Sequence, residues 1–422
     1  MELVLSANFD VPNSHQIAVY ESRGGYQAAS KALAMTPEQI IDEVKASGLR
    51  GRGGAGFPTG LKWSFLPKDN PKPRYLCINA DESEPGTFKD RKILEKDPHR
   101  MIEGIIIAAY AIQSHTAYIY YRGEFCDQGR TIDAALAEAK AKGYFGDTCF
   151  GHDFKLEIHT HRGAGAYICG EETGLIESLE GKKGQPRLKP PFPATHGVFQ
   201  CPTIVNNVET LATLPFILTQ GAAAYAAMGT PKSAGTRLMC ISGHVNNPGV
   251  YEIEMGLPML DFINNQGGGM RNGKKMKALI PGGSSTPIIT AKEAETLKLD
   301  YESMAEHGTM FGSGGLMVLD EDTDIVDAMR VLLRFYAHES CGQCTPCREG
   351  TDWVYKIAKR LSEGSGTEED IKTLLELCDN MEGKTICPLA AAASMPARSY
   401  VMKFKDEFLA KVKPTAVPAG AR

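Results

Sequence analysis

Apolar residues at helical spacing mark the first clear element of the chain. Thr36, Pro37, Glu38 and Gln39 form a helix start: an N-cap, a proline at the first helical position and a glutamine at the capping-box position. Ile40, Ile41 and Val44 make the apolar stripe, and Gly48 ends it. Apolar runs at 74–79, 117–121 and 154–160 predict strands. Between them, 99–113 and 131–142 predict helices, the second closed by Gly143. This alternation predicts an α/β layer with a mostly parallel sheet. Over 186–202 the helix signal vanishes, and Pro190-Pro191-Phe192-Pro193 predicts an extended loop. A helix resumes over 208–218.

The pattern changes near 230–235. Strand patterns follow at 237–242, 249–253, 276–280 and 316–319, with a short helix at 257–264 and glycine turns at 267–269 and 282–283. This reads as a small α+β module over 233–322, after an α/β domain over 1–232. The remainder, 323–422, is helical. Ile325, Met329, Leu332, Leu333 and Tyr336 are spaced for one helix, 350–361 is a second, and Ile371, Leu374, Leu375 and Cys378 line a third. The tail at 414–422 is expected to fray.

Composition narrows the class. Of 422 residues, 42% are apolar, enough for real cores. The net charge of −5 gives no footprint for nucleic acid. The longest strongly apolar run, 104–112, is far short of the ~20 residues a membrane span needs. No targeting segment is visible, so the chain reads as cytosolic, with any membrane link through a partner. The 11 cysteines are odd in number, and disulfides are not expected. Most of the first six sit singly among apolar residues and read as small core side chains.

Three later cysteines differ. Cys341, Cys344 and Cys347 form C-x-x-C-x-x-C, which lets three thiolates face one site. A four-iron cubane needs a fourth thiolate, commonly followed by proline, and Cys387-Pro388 offers it. Cys378 falls on the apolar face of a helix and reads as core. Zinc also accepts four thiolates, but its structural sites more often pair C-x-x-C with a second pair or with histidines. The cubane fits this spacing better.

Gly51-Arg52-Gly53-Gly54-Ala55-Gly56 matches G-x-G-x-x-G, whose glycines let a backbone approach phosphate. It follows a helix and not a strand, so on spacing alone it is equally a flexible turn. Arg52 and Lys62 add positive charge suited to a phosphate or a flavin edge. Asn79, Asp81, Glu82 and Glu84 follow a buried strand, where polar residues commonly meet ligands. Their carboxylates suit ribose or ribityl hydroxyls and repel a 2′-phosphate; as a bare charge run they are a wet loop. A second glycine-rich turn, 163–174, feeds a helix through Glu171 and Glu172. Asn206 and Asn207 precede the helix at 208–218 and suit an N-cap. Phe57, Phe65 and Phe192, judged singly, read as core. No nucleophile–histidine–acid arrangement points to a hydrolase.

Together, the segments 49–63, 79–86, 165–174, 206–210 and 339–350 resemble the NADH-binding flavoprotein subunit of respiratory NADH:quinone oxidoreductase, complex I. The resemblance implies a Rossmann-like FMN-binding domain, a β-grasp-like module and a helical bundle carrying one 4Fe-4S cluster. It implies FMN at Gly51, Arg52, Gly53, Gly54, Ala55, Gly56, Lys62, Asn79, Asp81, Gly170, Asn206 and Asn207. It implies NADH near Phe57, Phe65, Glu82, Glu84, Tyr167, Glu171, Glu172 and Phe192, with Glu82 and Glu84 as candidate catalytic residues. Cys341, Cys344, Cys347 and Cys387 become the cluster ligands. The implied partners are a small thioredoxin-like iron–sulfur subunit and the large iron–sulfur subunit, in a complex on the cytoplasmic side of the inner membrane. One departure stands out: after Leu389 the family often carries an acidic residue and Trp-Pro, where this chain reads Ala390 to Met395 and Pro396.

Two rival readings follow. The same electron-input module serves NAD-linked formate dehydrogenases and hydrogenases, which often carry extra ferredoxin-like segments. A zinc-bearing structural adaptor without catalysis is the rival from another class, and a flavin and iron–sulfur absorption spectrum separates it.

Overall fold

The computed structural model describes residues 2–413, so the tail at 414–422 lies outside the described residues. Four strands build the first sheet: β1 (Tyr75–Ala80), β2 (Thr116–Tyr121), β3 (Glu157–Arg162) and β4 (Thr203–Asn207). Their order is β3-β2-β1-β4, and every pairing is parallel. Leu76, Cys77 and Ile78 of β1 are all fully buried, as a strand covered on both faces requires.

Helices Pro98–Ala111 and Val208–Gln220 share one core with Leu76, Ile78 and Ile119. They approach so closely that a Cβ on Gly104 would lie 2.0 Å from the Leu211 carbonyl oxygen. Only glycine fits there. Cys77 and Tyr120 belong to a second apolar cluster with Ile168, Leu175 and Ile176, which continues into the C-terminal helices.

The loop expected over 186–202 is only partly extended. Peptide bonds Lys189–Pro190 and Pro190–Pro191 are cis, but a helical turn forms at Pro193–His196, and Phe199 and Gln200 turn the chain through left-handed backbone. Pro193 starts its turn because a proline at the first position loses no helical hydrogen bond.

The middle module has a five-stranded mixed sheet, in the order Ile289–Thr290, Met276–Ile280, Gly315–Asp320, Thr236–Gly243, Gly249–Glu254. Only Gly315–Asp320 and Thr236–Gly243 pair in parallel. Helices Ile325–Glu339, Thr345–Ser362, Glu368–Met381 and Leu389–Lys403 then pack as a bundle. The second starts earlier than expected, which places Cys347 in its first turn. The fourth was not foreseen. Its buried Ala390, Ala393 and Ala397 let it pack closely, and Pro396 forfeits only one backbone bond.

Candidate functional site

Parallel strands put their C-terminal ends on one edge, and the loops leaving that edge converge. They enclose a cavity of about 450 Å³, within the range of ligand sites. The glycine turn supplies Arg52, Gly53, Gly54 and Ala55. The β1 edge supplies Asn79, Asp81, Glu82 and Glu84, and the second glycine turn supplies Tyr167, Gly170 and Glu171. The middle module adds Ser285 and Ser313, and the bundle adds Cys387, Pro388 and Met395.

The acidic loop is not wet. Asp81 and Glu82 are buried, and burial pushes the Asp81 carboxyl up to about 7 although Ser83 Oγ donates to it at 2.6 Å. Glu82 accepts from the backbone N–H of Asp90 at 2.7 Å and from Arg91 Nε at 3.0 Å, at the start of helix Asp90–Lys96. Glu84 accepts from Tyr167 Oη at 2.7 Å and from the Ser285 N–H at 2.6 Å, and burial raises it. Of the two candidate catalytic carboxylates, Glu82 thus anchors a helix and Glu84 joins the first domain to the middle module.

Other expected residues are engaged elsewhere or stand outside the lining. The Arg52 guanidinium turns inward, donating to Tyr225 Oη at 2.9 Å and to the carbonyls of Ala234 and Thr236. Its charge is not free in the cavity. Lys62 Nζ lies 3.0 Å from Glu172 and 2.9 Å from the Val205 carbonyl oxygen. Asn206 Oδ1 accepts from Trp63 Nε1 at 2.9 Å, whereas Asn207 does line the cavity and caps helix Val208–Gln220, accepting from the Glu209 N–H. Phe57, Phe65 and Phe192 are 44%, 53% and 57% exposed, which corrects their reading as core. The Phe57 and Phe65 rings lie 5.9 Å apart, and each of the three keeps an exposed face.

Three residues were missed in the sequence. Lys189 pairs with both Glu171 and Glu172 at 2.8 Å; burial opposes, but Lys62 and Lys189 hold Glu172 down at about 2. Lys89 and Asp90 line the cavity as a buried ion pair at 2.8 Å. Their signal was present: two opposite charges directly after a ligand-type loop.

The cysteines gather behind the cavity. Cys347 feels the charge of both Cys341 and Cys344, and Cys387 that of Cys341 and Cys347, so the four thiols share one neighbourhood. Ser340 Oγ sits 3.3 Å from Cys347 Sγ. Among the described residues no three His, Cys, Asp or Glu side chains are close enough to grip a single metal ion. A four-iron cubane is wider than one ion and holds its thiolates further apart. Cys378 is fully buried in its helix, and no disulfide joins any of the 11 cysteines.

Residues 44–215 match the model of the Nuo51 FMN-binding domain, 237–326 the SLBB domain, and 327–411 the NADH-ubiquinone oxidoreductase-F iron-sulfur binding region. An NADH-quinone oxidoreductase F-type subunit of Rhizobium meliloti is 49% identical over 418 residues, 99% of each chain. The chain belongs to the family of NADH-quinone oxidoreductase F-type subunits. The F-type subunit of Mycobacterium tuberculosis is also 49% identical, over 99% of this chain and 95% of that one. Among solved structures, the NAD+-reducing [NiFe]-hydrogenase in its H2-reduced state superposes with a TM-score of 0.85 at 37% identity. That match covers 93% of this chain but 66% of the hydrogenase chain.

Members of this family hold FMN and a 4Fe-4S cluster, and the cavity fits the flavin. Asp81 Oδ2 is buried without a hydrogen-bond partner among the described residues. Buried acceptors are rarely left so, and a ribityl hydroxyl is a suitable donor. Gly54 has φ +136°, and nothing lies within 4 Å of where its Cβ would stand, so this backbone is open to close approach.

Asp81 makes the flavin-free chain pH-sensitive. Its folded pKa of about 7 lies above the unfolded ~3.9. The folded state therefore binds the extra proton, and this contribution is full below about pH 4 and lost as pH rises through about 7. For Asp81→Asn, the stability advantage over the parent should grow by about 1–3 kcal/mol between pH 5 and pH 8. Melting curves across that range check it; parallel curves would contradict the assignment.

Proposed function

We propose that the chain is the electron-input subunit of a quinone-reducing complex, oxidising NADH and delivering single electrons to its cluster. A single observation carries this: one cavity is lined both by the glycine turn and acidic loop and by Cys387. FMN, when bound, supplies the chemistry that joins a two-electron donor to a one-electron acceptor.

The chain's own residues position and insulate. Gly53 and Gly54 offer open backbone to the flavin. Asn79 donates to the Gly170 carbonyl oxygen at 2.8 Å and fixes the second glycine turn, which packs between cavity and bundle. Glu84 and Tyr167 close the side facing the middle module. The exposed Phe57, Phe65 and Phe192 offer stacking faces to the nucleotide, beside the paired Lys189, Glu171 and Glu172. The carboxylates of the loop after β1, at Asp81, Glu82 and Glu84, disfavour a 2′-phosphate, so NADH is preferred to NADPH. We assign the domains to 1–232, 233–322 and 323–422. The partners in this reading are a small thioredoxin-like iron–sulfur subunit and a large iron–sulfur subunit. No described helix is long and apolar enough to cross a membrane, so a place on the cytoplasmic face of the inner membrane would come through the complex.

Rapid mixing of flavin-loaded chain with NADH should bleach the flavin absorption, and NADPH should do so at least tenfold more slowly. A flavin that NADH leaves oxidised would overturn the proposal. A second reading, the same module in an NAD-linked hydrogenase or formate dehydrogenase, is favoured by the superposition on the NAD+-reducing hydrogenase. The subunits that co-purify with the native chain decide between them.

A further inference from the structure

The cluster loop is tied to the flavin side by an unusual contact. Glu339 is the last residue of helix Ile325–Glu339, two residues before Cys341. Its Oε2 accepts from the backbone N–H of Tyr167 at 3.0 Å. Tyr167 opens the turn Tyr167–Gly170, which contributes Tyr167, Ile168 and Gly170 to the cavity wall. The same turn is held at its other end by Asn79, and through the Tyr167 ring by Glu84. A second, weaker tie runs from Gln185 Nε2 to the Cys341 carbonyl oxygen at 3.2 Å. A carboxylate accepting from an amide makes a stronger bond than a neutral acceptor does. Glu339 therefore fastens the residue next to the cluster ligands onto the wall of the flavin cavity.

We infer that Glu339 is a positioning residue that fixes the separation of flavin and cluster, and so sets the rate at which electrons cross between them. Electron tunnelling falls steeply with distance, so a loop that loosens by about an ångström slows the crossing without touching the donor step. The inference rests on the cavity being the flavin site. Failure of that reading would appear separately, as a flavin that NADH does not reduce.

The test uses the full chain carrying both cofactors, with flavin, iron and acid-labile sulfide measured for each variant. Flavin reduction is followed by stopped-flow absorbance and cluster reduction by rapid-freeze EPR. Glu339→Ala should leave flavin reduction unchanged and slow cluster reduction by about tenfold. Glu339→Gln keeps an oxygen that accepts the Tyr167 N–H and should stay within about twofold of the parent. Gln185→Ala should give a smaller slowing of the same step, and it decides the matter if Glu339→Ala fails to assemble its cluster. Unchanged cluster reduction in the assembled variants would overturn the inference. Equal slowing in Glu339→Ala and Glu339→Gln would also overturn it, because charge would then be the cause. Equal slowing of the flavin step would show a general structural role instead.

Discussion

Cys387→Ala is expected to strip the chain of its cluster, with iron and acid-labile sulfide falling to near zero. Three cysteines come from one loop, and the fourth ligand must come from elsewhere. Cys387 is a distant thiol that the fold brings to both Cys341 and Cys347, whereas Cys169, which also feels Cys341, packs in the apolar cluster with Tyr120 and Ile176. Cys387 also lines the cavity, so its loss should weaken flavin retention as a lesser effect. Cys378 is the control. It is fully buried on helix Glu368–Met381, and burial pushes its thiol up to about 12. Cys378→Ala should keep the full cluster and lose about 1–2 kcal/mol from a small cavity. Iron and sulfide assays on the two variants check both statements. The reverse pattern would assign the fourth ligand to Cys378.

Lys89→Met should cost the most stability of any single change near the cavity. The Lys89 ammonium lies 2.8 Å from Asp90 and 2.6 Å from Glu209, with side chains 1%, 5% and 0% exposed. Burial opposes its charge, but Asp90 and Glu209 outweigh that and hold it protonated. Apart from this ion pair, Glu209 Oε2 has no hydrogen-bond partner among the described residues. Removing the cation leaves two carboxylates buried and uncompensated, a loss of about 3–5 kcal/mol. The damage reaches the site, because Asp90 Oδ2 accepts from Asn207 Nδ2 at 2.5 Å and so orients a lining residue. Chemical denaturation and flavin retention measure the two consequences. Lys89→Met combined with Glu209→Gln should recover part of the stability, since one stranded charge is removed. A Lys89→Met chain as stable as the parent would contradict the pairing.

Three of the sheet's four strands were readable as short β-prone runs between helices, whereas Thr203–Asn207 was not, because it directly follows the proline-rich stretch where no regular signal survives. Helix Leu389–Lys403 was not, because its alanines carry no amphipathic stripe and Pro396 reads as a break. The cluster motif was readable from thiol spacing alone. The flavin residues were identifiable only by resemblance, since a glycine turn after a helix is ambiguous. Arg52 illustrates the remaining limit: its type promised a phosphate contact, yet its guanidinium meets Tyr225 from a distant segment. The aromatic trio fails the other way, because exposure depends on what the fold leaves uncovered. Lys89 and Asp90 were overlooked because adjacent opposite charges usually mark a solvated surface.

The most direct measurement is an anaerobic titration of the chain carrying both cofactors with NADH, following flavin absorbance and the EPR spectrum of the cluster together. One cavity shared by the flavin residues and Cys387 predicts that NADH bleaches the flavin and that a reduced-cluster signal follows without any added mediator. A fully bleached flavin beside a cluster that stays oxidised, yet is reduced by a chemical reductant of equal potential, would contradict it.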